Sequence, residues 1–564
     1  MKRLRWQILI VILALAAIGI LLISQQRAAQ PPEAADATGE AGAQPVSGGV
    51  YTEGLIGAPG RLNPVLDFYN STDRDVNRLL YSSLVRFDDR GLPVADLAES
   101  WGVSQDGTTY NFSIKAGAQW HDGEAVTSAD VAFTVDLLRS PNLPIPDDLR
   151  AFWEDVEISA PNPQLVQFIL PEPFAPFLDY LTFGILPEHL LGEFAPEELA
   201  AAPFNLQPVG SGPYHFVQWL GESDQITGVV LAAFEDYYAP KAFIDQIVFR
   251  YFSDPAAALE AYRNGEIMGI SEITPEILAG ALAEPNLNVY TGRLPQMTLV
   301  LFNLDDPGAA FLQVQEVRQA LMAALNRQRM IDTLLGGQGI VANGPIFPGT
   351  WAYYDGLKSL EYDPAAAVEL LKGAEFVIPA AGGTVREKEG VRLAFTLLHP
   401  EGEPYTSMAQ FIQQSWAQIG VEVTLEAVPY DTLIENKLTR GDYTAALVDL
   451  NLFRSPDPDP YPFWHQAQMS GGQNYAHWDD RPASEYLEQA RITLDLAERT
   501  RLYRNFQIRF SLELPALPLY YPVYTYAVDS QVQGLSMGPL FDASDRFATL
   551  VSWFIAPEQN GTGE

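Results

Sequence analysis

Apolar positions along this chain follow two periods. In TYNFSIK (109–115), Tyr110, Phe112 and Ile114 alternate with polar partners, which predicts a half-buried strand. Met408, Phe411, Ile412, Ser415 and Ile419 recur at helical spacing, and Gly420 follows as the predicted helix cap. The period then switches: Val421, Val423, Leu425 and Ala427 alternate with Glu422, Thr424 and Glu426, predicting a strand. Residues 315–335 predict an amphipathic helix with Val317, Leu321, Ala324 and Leu325 on one face. Segments 130–139 and 484–513 also read as helical. Helix-then-strand units at this rhythm indicate an α/β architecture. No repeat of 20–50 residues is present, and the 42 prolines and 43 glycines mark many turns rather than one hinge.

The N-terminus has a different pattern. Lys2, Arg3 and Arg5 precede an uninterrupted apolar run from Ile8 to Ile23. A basic end followed by such a run is the pattern of a cleaved export signal or an uncleaved membrane anchor. Both place the body outside the cytoplasmic membrane. Residues 26–49 hold no aromatic residue and one branched aliphatic, Val46, so they predict a flexible tether.

The chain has 564 residues, 47% of them hydrophobic, which is enough for sizeable cores and excludes wholesale disorder. Lys+Arg number 34 and Asp+Glu 71, a net charge of −37. Without residues 1–30, thirty basic residues face 71 acidic ones, a net of −41. Nucleic acid is therefore an excluded partner for the body. The absence of cysteine removes disulfides, thiolate metal sites and cysteine nucleophiles.

Catalytic chemistry has little to stand on. The six histidines (121, 189, 215, 399, 465 and 477) are never closer than 12 positions, so no helical metal pair exists. There is no GxSxG elbow, Walker A loop or GxGxxG. Gly210-Ser211-Gly212 lies between Pro208 and Pro213 and reads as a tight turn. No catalytic residue, metal ligand or cofactor is expected. The segment SPDPDPYPFWHQ (455–466) is stiff and extended, with Asp457 and Asp459 beside Tyr461, Phe463 and Trp464. It can capture a ligand cation, or it can be a proline-rich loop whose aromatics pack inward.

Several stretches in order resemble the bacterial extracellular solute-binding proteins of family 5, which include dipeptide, oligopeptide and nickel receptors of ABC importers. The strongest is DGTTYNFSIKAGAQWHDGEAVTSADVAFTVDLL (106–138). GAPGRLNPVL (57–66) and LLYSSLVRFD (79–88) precede it. PVGSGPY (208–214), ALEAYRNGEI (258–267), VRQALMAALNRQRMI (317–331), DPDPYPFWH (457–465) and RTRLYRNFQIRFSLELPALPLYY (499–521) follow. Most of these residues have structural readings. Trp120, Asp122 and Gly123 predict a turn with a core contact, and Asp130 a helix N-cap.

The resemblance implies an α/β, two-lobed periplasmic-binding-protein-like fold (type II, cluster C) with an extra subdomain in lobe I. The implied organisation is a signal or anchor at 1–25, a linker at 26–49 and lobe I at 50–293, with a subdomain at about 86–205. Lobe II would span 294–519, with a return to lobe I at 520–556 and a tail at 557–564. Crossings are expected near 294–304 and 517–527. The implied function is an extracytoplasmic, monomeric receptor that closes on an oligopeptide or dipeptide and docks on a membrane permease. An oligosaccharide or metal complex on the same fold is the nearer alternative, and an exported carboxylate-dependent hydrolase the distant one. Relatives pair an aspartate with the ligand's ammonium a few residues ahead of this loop's proline. Arg454 and Pro456 hold those places here, leaving Asp449, Asp457 and Asp459. Tyr69, Asn70 and Ser71 match a cleft-lining stretch, and Trp464 is either cleft wall or core.

Overall fold

The computed structural model describes residues 44–222, 225–358, 360–452 and 456–557. The expected signal or anchor, most of the linker, Arg454 and residues 558–564 lie outside them. Among the described residues no helix is long and apolar enough to cross a membrane.

A twelve-stranded mixed sheet organises the chain. From one edge the path runs through Glu422–Val428, Ala394–Pro400, Ala445–Asn451 and Gln296–Phe302 to Ala516–Asp529. It continues through Gly269–Ile270, Val50–Ile56, Gln246–Phe252 and Gln225–Ala233 to Tyr214–Glu222. The long strand Ala516–Asp529 joins the two halves. Its first part pairs antiparallel with Gln296–Phe302 (Leu301 opposite Ala516), and its last part with Leu287–Arg293 (Arg293 opposite Val523). The chain thus passes between the halves at 294–295 and again near Tyr520–Val523.

The cores separate at the same place. One gathers Tyr51 to Phe249 with Tyr526 to Trp553; two others draw only on residues between Met297 and Tyr521. A smaller fourth core gathers Ala258 to Leu287 with Ala527. Apolar burial is the main driving force for each, and none of the four draws on both sides of the division, so they define two lobes. A four-stranded antiparallel sheet, ordered Ala98–Val103, Thr109–Ile114, Leu165–Ile169, Glu157–Asn162, packs into the first core.

Tyr110, Phe112 and Ile114 are buried on one face of Thr109–Ile114, as the alternation requires. Helix Tyr405–Gln418 is followed by Gly420 at φ 85 and strand Glu422–Val428. In that edge strand Val428 is buried and Ala427 exposed, so the alternation slips at its end. The expected single helix over 315–335 is two, Gln315–Ala323 and Arg327–Leu334. The Asn326 carboxamide accepts from the Arg329 N–H and starts a new helix there. Segment 484–513 likewise splits into Arg481–Ile492 and Leu496–Glu513, the second capped by Asp495.

The WHDG stretch is structural. Trp120 is fully buried, Gly123 has φ 92, and Asp122 accepts from the Glu124 N–H. Asp130 is not the N-cap, which is Thr127. It is the third residue of helix Ser128–Leu138, and its carboxylate reaches back to the Thr127 N–H (2.8 Å) and across to the Glu188 N–H (2.9 Å). His121 binds the Gly210–Gly212 turn. Its Nδ1 accepts from the Gly210 N–H (3.0 Å) and its Nε2 donates to the Gly212 carbonyl (3.1 Å). A Cβ on Gly210 would sit 1.8 Å from the Leu80 carbonyl oxygen, so only glycine fits there.

Candidate ligand-binding site

Between the halves lies a cavity of about 860 Å³. Helix Ser71–Leu80, the segment around Ala175–Leu181 and residues 536–549 wall it from the first-core side; strands Gln296–Phe302 and Ala445–Asn451 and residues 456–475 wall it from the other. Helix Ser71–Leu80 contributes Arg74, Asn77 and Arg78, which share a face by their three- and four-residue spacing. Arg74 pairs with Asp542 (3.0 Å) and Arg78 with Asp545 (3.1 Å). Arg86 also lines the cavity, is exposed, and has no ion-pair partner among the described residues.

Asp449, Asp457, Asp459 and Trp464 all line this cavity, whereas Tyr69, Asn70 and Ser71 do not. Tyr69 is exposed. Asn70 caps helix Ser71–Leu80 by accepting from the Thr72 N–H (3.1 Å), and Ser71 is the first residue of that helix. Their neighbours Asp67 and Phe68 reach the wall instead.

The three aspartates have different partners. Asp457 is buried against Arg499 at 2.6 Å, with the Tyr503 hydroxyl at 3.4 Å. Burial raises its carboxyl, and the guanidinium opposes that rise. Asp459 takes a two-pronged contact from Arg491, at 3.0 Å from Nε and 2.7 Å from Nη2 to the same oxygen. The Arg491 guanidinium lies 3.9 Å from the Tyr461 ring centroid. Asp449 has hydroxyl partners: Thr298 Oγ1 donates to Oδ1 at 2.6 Å, and the Tyr405 hydroxyl donates to Oδ2. Tyr430 stands nearby, its hydroxyl pushed up to about 12 by burial and by the Asp449 charge. No ammonium or guanidinium faces Asp449 among the described residues.

Trp464 is both cavity wall and core. Its ring meets Phe510 edge-on at 4.7 Å, and it is 1% exposed. Sequence reasoning missed the wall from helix Ser71–Leu80. The signal available was the spacing of Arg74, Asn77 and Arg78 just after the polar stretch 69–71.

A two-lobed α/β protein with a ligand-sized cavity between its lobes is built as a solute-binding protein. Residues 93–472 match the model of the bacterial extracellular solute-binding proteins, family 5 (middle region). The chain belongs to that family. It is 26% identical over 527 residues to the oligopeptide-binding protein AppA of Bacillus subtilis, covering 91% of this chain and 93% of that protein. The structure of AppA in complex with a nonapeptide superposes with a TM-score of 0.68 at 25% identity, covering 91% of this chain and all of that one. NikZ from Campylobacter jejuni, solved in complex with Ni(L-His), gives a TM-score of 0.68 at 27% identity over 90% of this chain and 99% of NikZ.

Proposed function

We propose that this chain is the extracytoplasmic receptor of an ABC importer, closing on an oligopeptide or dipeptide and presenting it to a membrane permease. The observation that carries the reading is the cavity of about 860 Å³ walled from both lobes, within the range of ligand pockets. A ligand that touches both walls only when they are close shifts the population toward the closed form. No bond of the ligand is made or broken in this account. The lobes are assigned as 50–293 with 520–556, and 294–519, and the receptor acts as a monomer held or exported through its N-terminal segment.

Asp449 is assigned to the ligand's ammonium group. Asp457 and Asp459 are committed to Arg499 and Arg491, while Asp449 is held by hydroxyls that leave its charge for a ligand. Arg86 is assigned to the ligand's carboxylate. Titration of the full chain in detergent with peptide mixtures tests the reading. Saturable heat and a raised melting temperature support it, and neither effect with any peptide removes it. A metal complex is the second reading, favoured by the likeness to NikZ with Ni(L-His).

A further inference from the structure

Beside the cavity the two lobes meet around one cation. Arg491 stands in the last turn of helix Arg481–Ile492, which packs on the turn Ala175–Leu181 of the first-core lobe. On its own side the guanidinium is held by the Asp459 carboxylate (2.7 Å) and lies 3.9 Å from the Tyr461 ring centroid. His465 stacks on that ring at 4.0 Å and is itself bonded to Glu488 at 2.9 Å, which fixes the ring's position.

The first-core lobe supplies the other side. Phe152 stacks on Tyr180 at 4.0 Å, and Phe174 lies 5.5 Å from Phe152 and 5.7 Å from Tyr180, so the three form one aromatic cluster. The Phe174 centroid is 5.5 Å from the Arg491 guanidinium, within cation–π range. Burial and the Asp459 charge push the Tyr180 hydroxyl up while the Arg491 charge opposes them, so this phenol feels both members of the pair across the lobe boundary. Three positions further on, Leu494 lies beside the Gly107 turn of the same lobe. Arg491, Phe174 and Tyr461 do not line the cavity, whereas Tyr180 and Asp459 do. The contact therefore needs nothing in the cavity and yet adjoins it.

We propose that Phe152, Phe174 and Tyr180 form a socket on the first-core lobe that receives Arg491 of the other lobe, a latch that holds the lobes together with no ligand between them. Arginine suits the place, because a planar guanidinium can face an aromatic ring while its edge holds a carboxylate. Parting the lobes draws Arg491 out of the socket, so ligand entry waits on its release. The latch stands whichever ligand class the cavity takes.

The chain has no cysteine, so two introduced cysteines report one distance. Glu99→Cys on the first-core lobe and Glu435→Cys on the other are at exposed positions. Spin labels there, read by double electron–electron resonance on the full chain in detergent, give the populations of closed and open lobes. The protein is first unfolded in guanidinium, dialysed free of bound ligand and refolded. The parent is expected to sit mostly at the separation found in this structure. A parent mostly at a longer separation overturns the latch without any further variant. Phe174→Leu keeps the apolar bulk and removes the aromatic face; Arg491→Gln removes the charge. Each is expected to lower the closed-to-open ratio about fivefold. The double variant is expected to open no further than either single one, because both remove the same interaction. Unchanged distances in both single variants overturn the latch. So do effects that multiply in the double variant, because they mark two independent structural roles.

Discussion

The backbone N–H of Asp457 donates to the Asp179 carboxylate at 2.6 Å, joining positions 278 apart in the chain. Asp179 belongs to the turn Ala175–Leu181 in the first-core lobe, and Asp457 to the loop after strand Ala445–Asn451 in the other. Beside them the Arg491 guanidinium lies 5.5 Å from the Phe174 ring centroid. The two lobes therefore touch on the cavity side as well as through the shared strand. Asp179→Ala removes a charge-assisted hydrogen bond of about 1.5–3 kcal/mol. It is expected to shift the population toward the open form, read as a larger radius of gyration in solution scattering and faster ligand release. An unchanged radius and release rate would mean that this contact does not hold the lobes together.

Loss of the Asp449 carboxylate and loss of the Arg499 cation beside Asp457 should act differently. Asp449→Asn is expected to weaken binding of peptides with a free N-terminus by about tenfold or more. It should leave N-acetylated peptides unaffected and the unfolding midpoint near that of the parent. Arg499→Met removes the guanidinium at 2.6 Å from the buried Asp457 carboxylate and is expected to cost about 3–5 kcal/mol of stability. Chemical denaturation and calorimetry on the two variants separate these outcomes.

Arg86 offers the matching test at the other end of a ligand. Arg86→Gln is expected to weaken free-acid peptides and to leave C-terminally amidated ones unchanged. Equal weakening of both would assign Arg86 to the wall's general charge.

His121 gives the fold a pH dependence. Burial holds its imidazole down at about 4, against about 6.5 when exposed. The unfolded chain then binds the extra proton first as pH falls. Stability from this residue is complete above about 6.5 and is lost progressively toward about 4, by on the order of 3 kcal/mol. Urea unfolding at pH 7 and pH 4.5 should show that loss in the parent and a smaller one in His121→Gln. A parallel loss in both would remove His121 as its origin.

Much of the fold was legible because local periods carried it. The alternation of Tyr110, Phe112 and Ile114 and the switch at Gly420 report burial directly. The breaks at Asn326 and Asp495 were not, because a single capping side chain ends a helix whose apolar spacing continues across it. The site was legible in part. The loop carrying Asp457, Asp459 and Trp464 announced itself by composition, but composition does not say which aspartate has an arginine behind it. Arg499 and Arg491 come from helices packed on that loop only in the folded chain. Likewise Asn70 looked like a cleft residue and serves as a helix cap.

Glu53, Asp75 and Arg546 show the same limit. Arg546 donates to Glu53 Oε1 (2.8 Å) and to both Asp75 oxygens (2.7 and 2.8 Å), all deeply buried, with the Tyr51 and Tyr526 hydroxyls closing on Glu53. Arg546→Met leaves two buried carboxylates without their cation. It is expected to cost about 3–5 kcal/mol in denaturant unfolding. A near-neutral result would show that those carboxyls take up protons instead.

The central claim is that the cavity closes on a peptide. Native mass spectrometry of the full chain, purified gently in detergent, with bound ligand released and sequenced, tests it most directly. Co-purified peptides of a narrow length range are expected. A protein that carries a sugar or a metal complex, and that no peptide displaces, would contradict it.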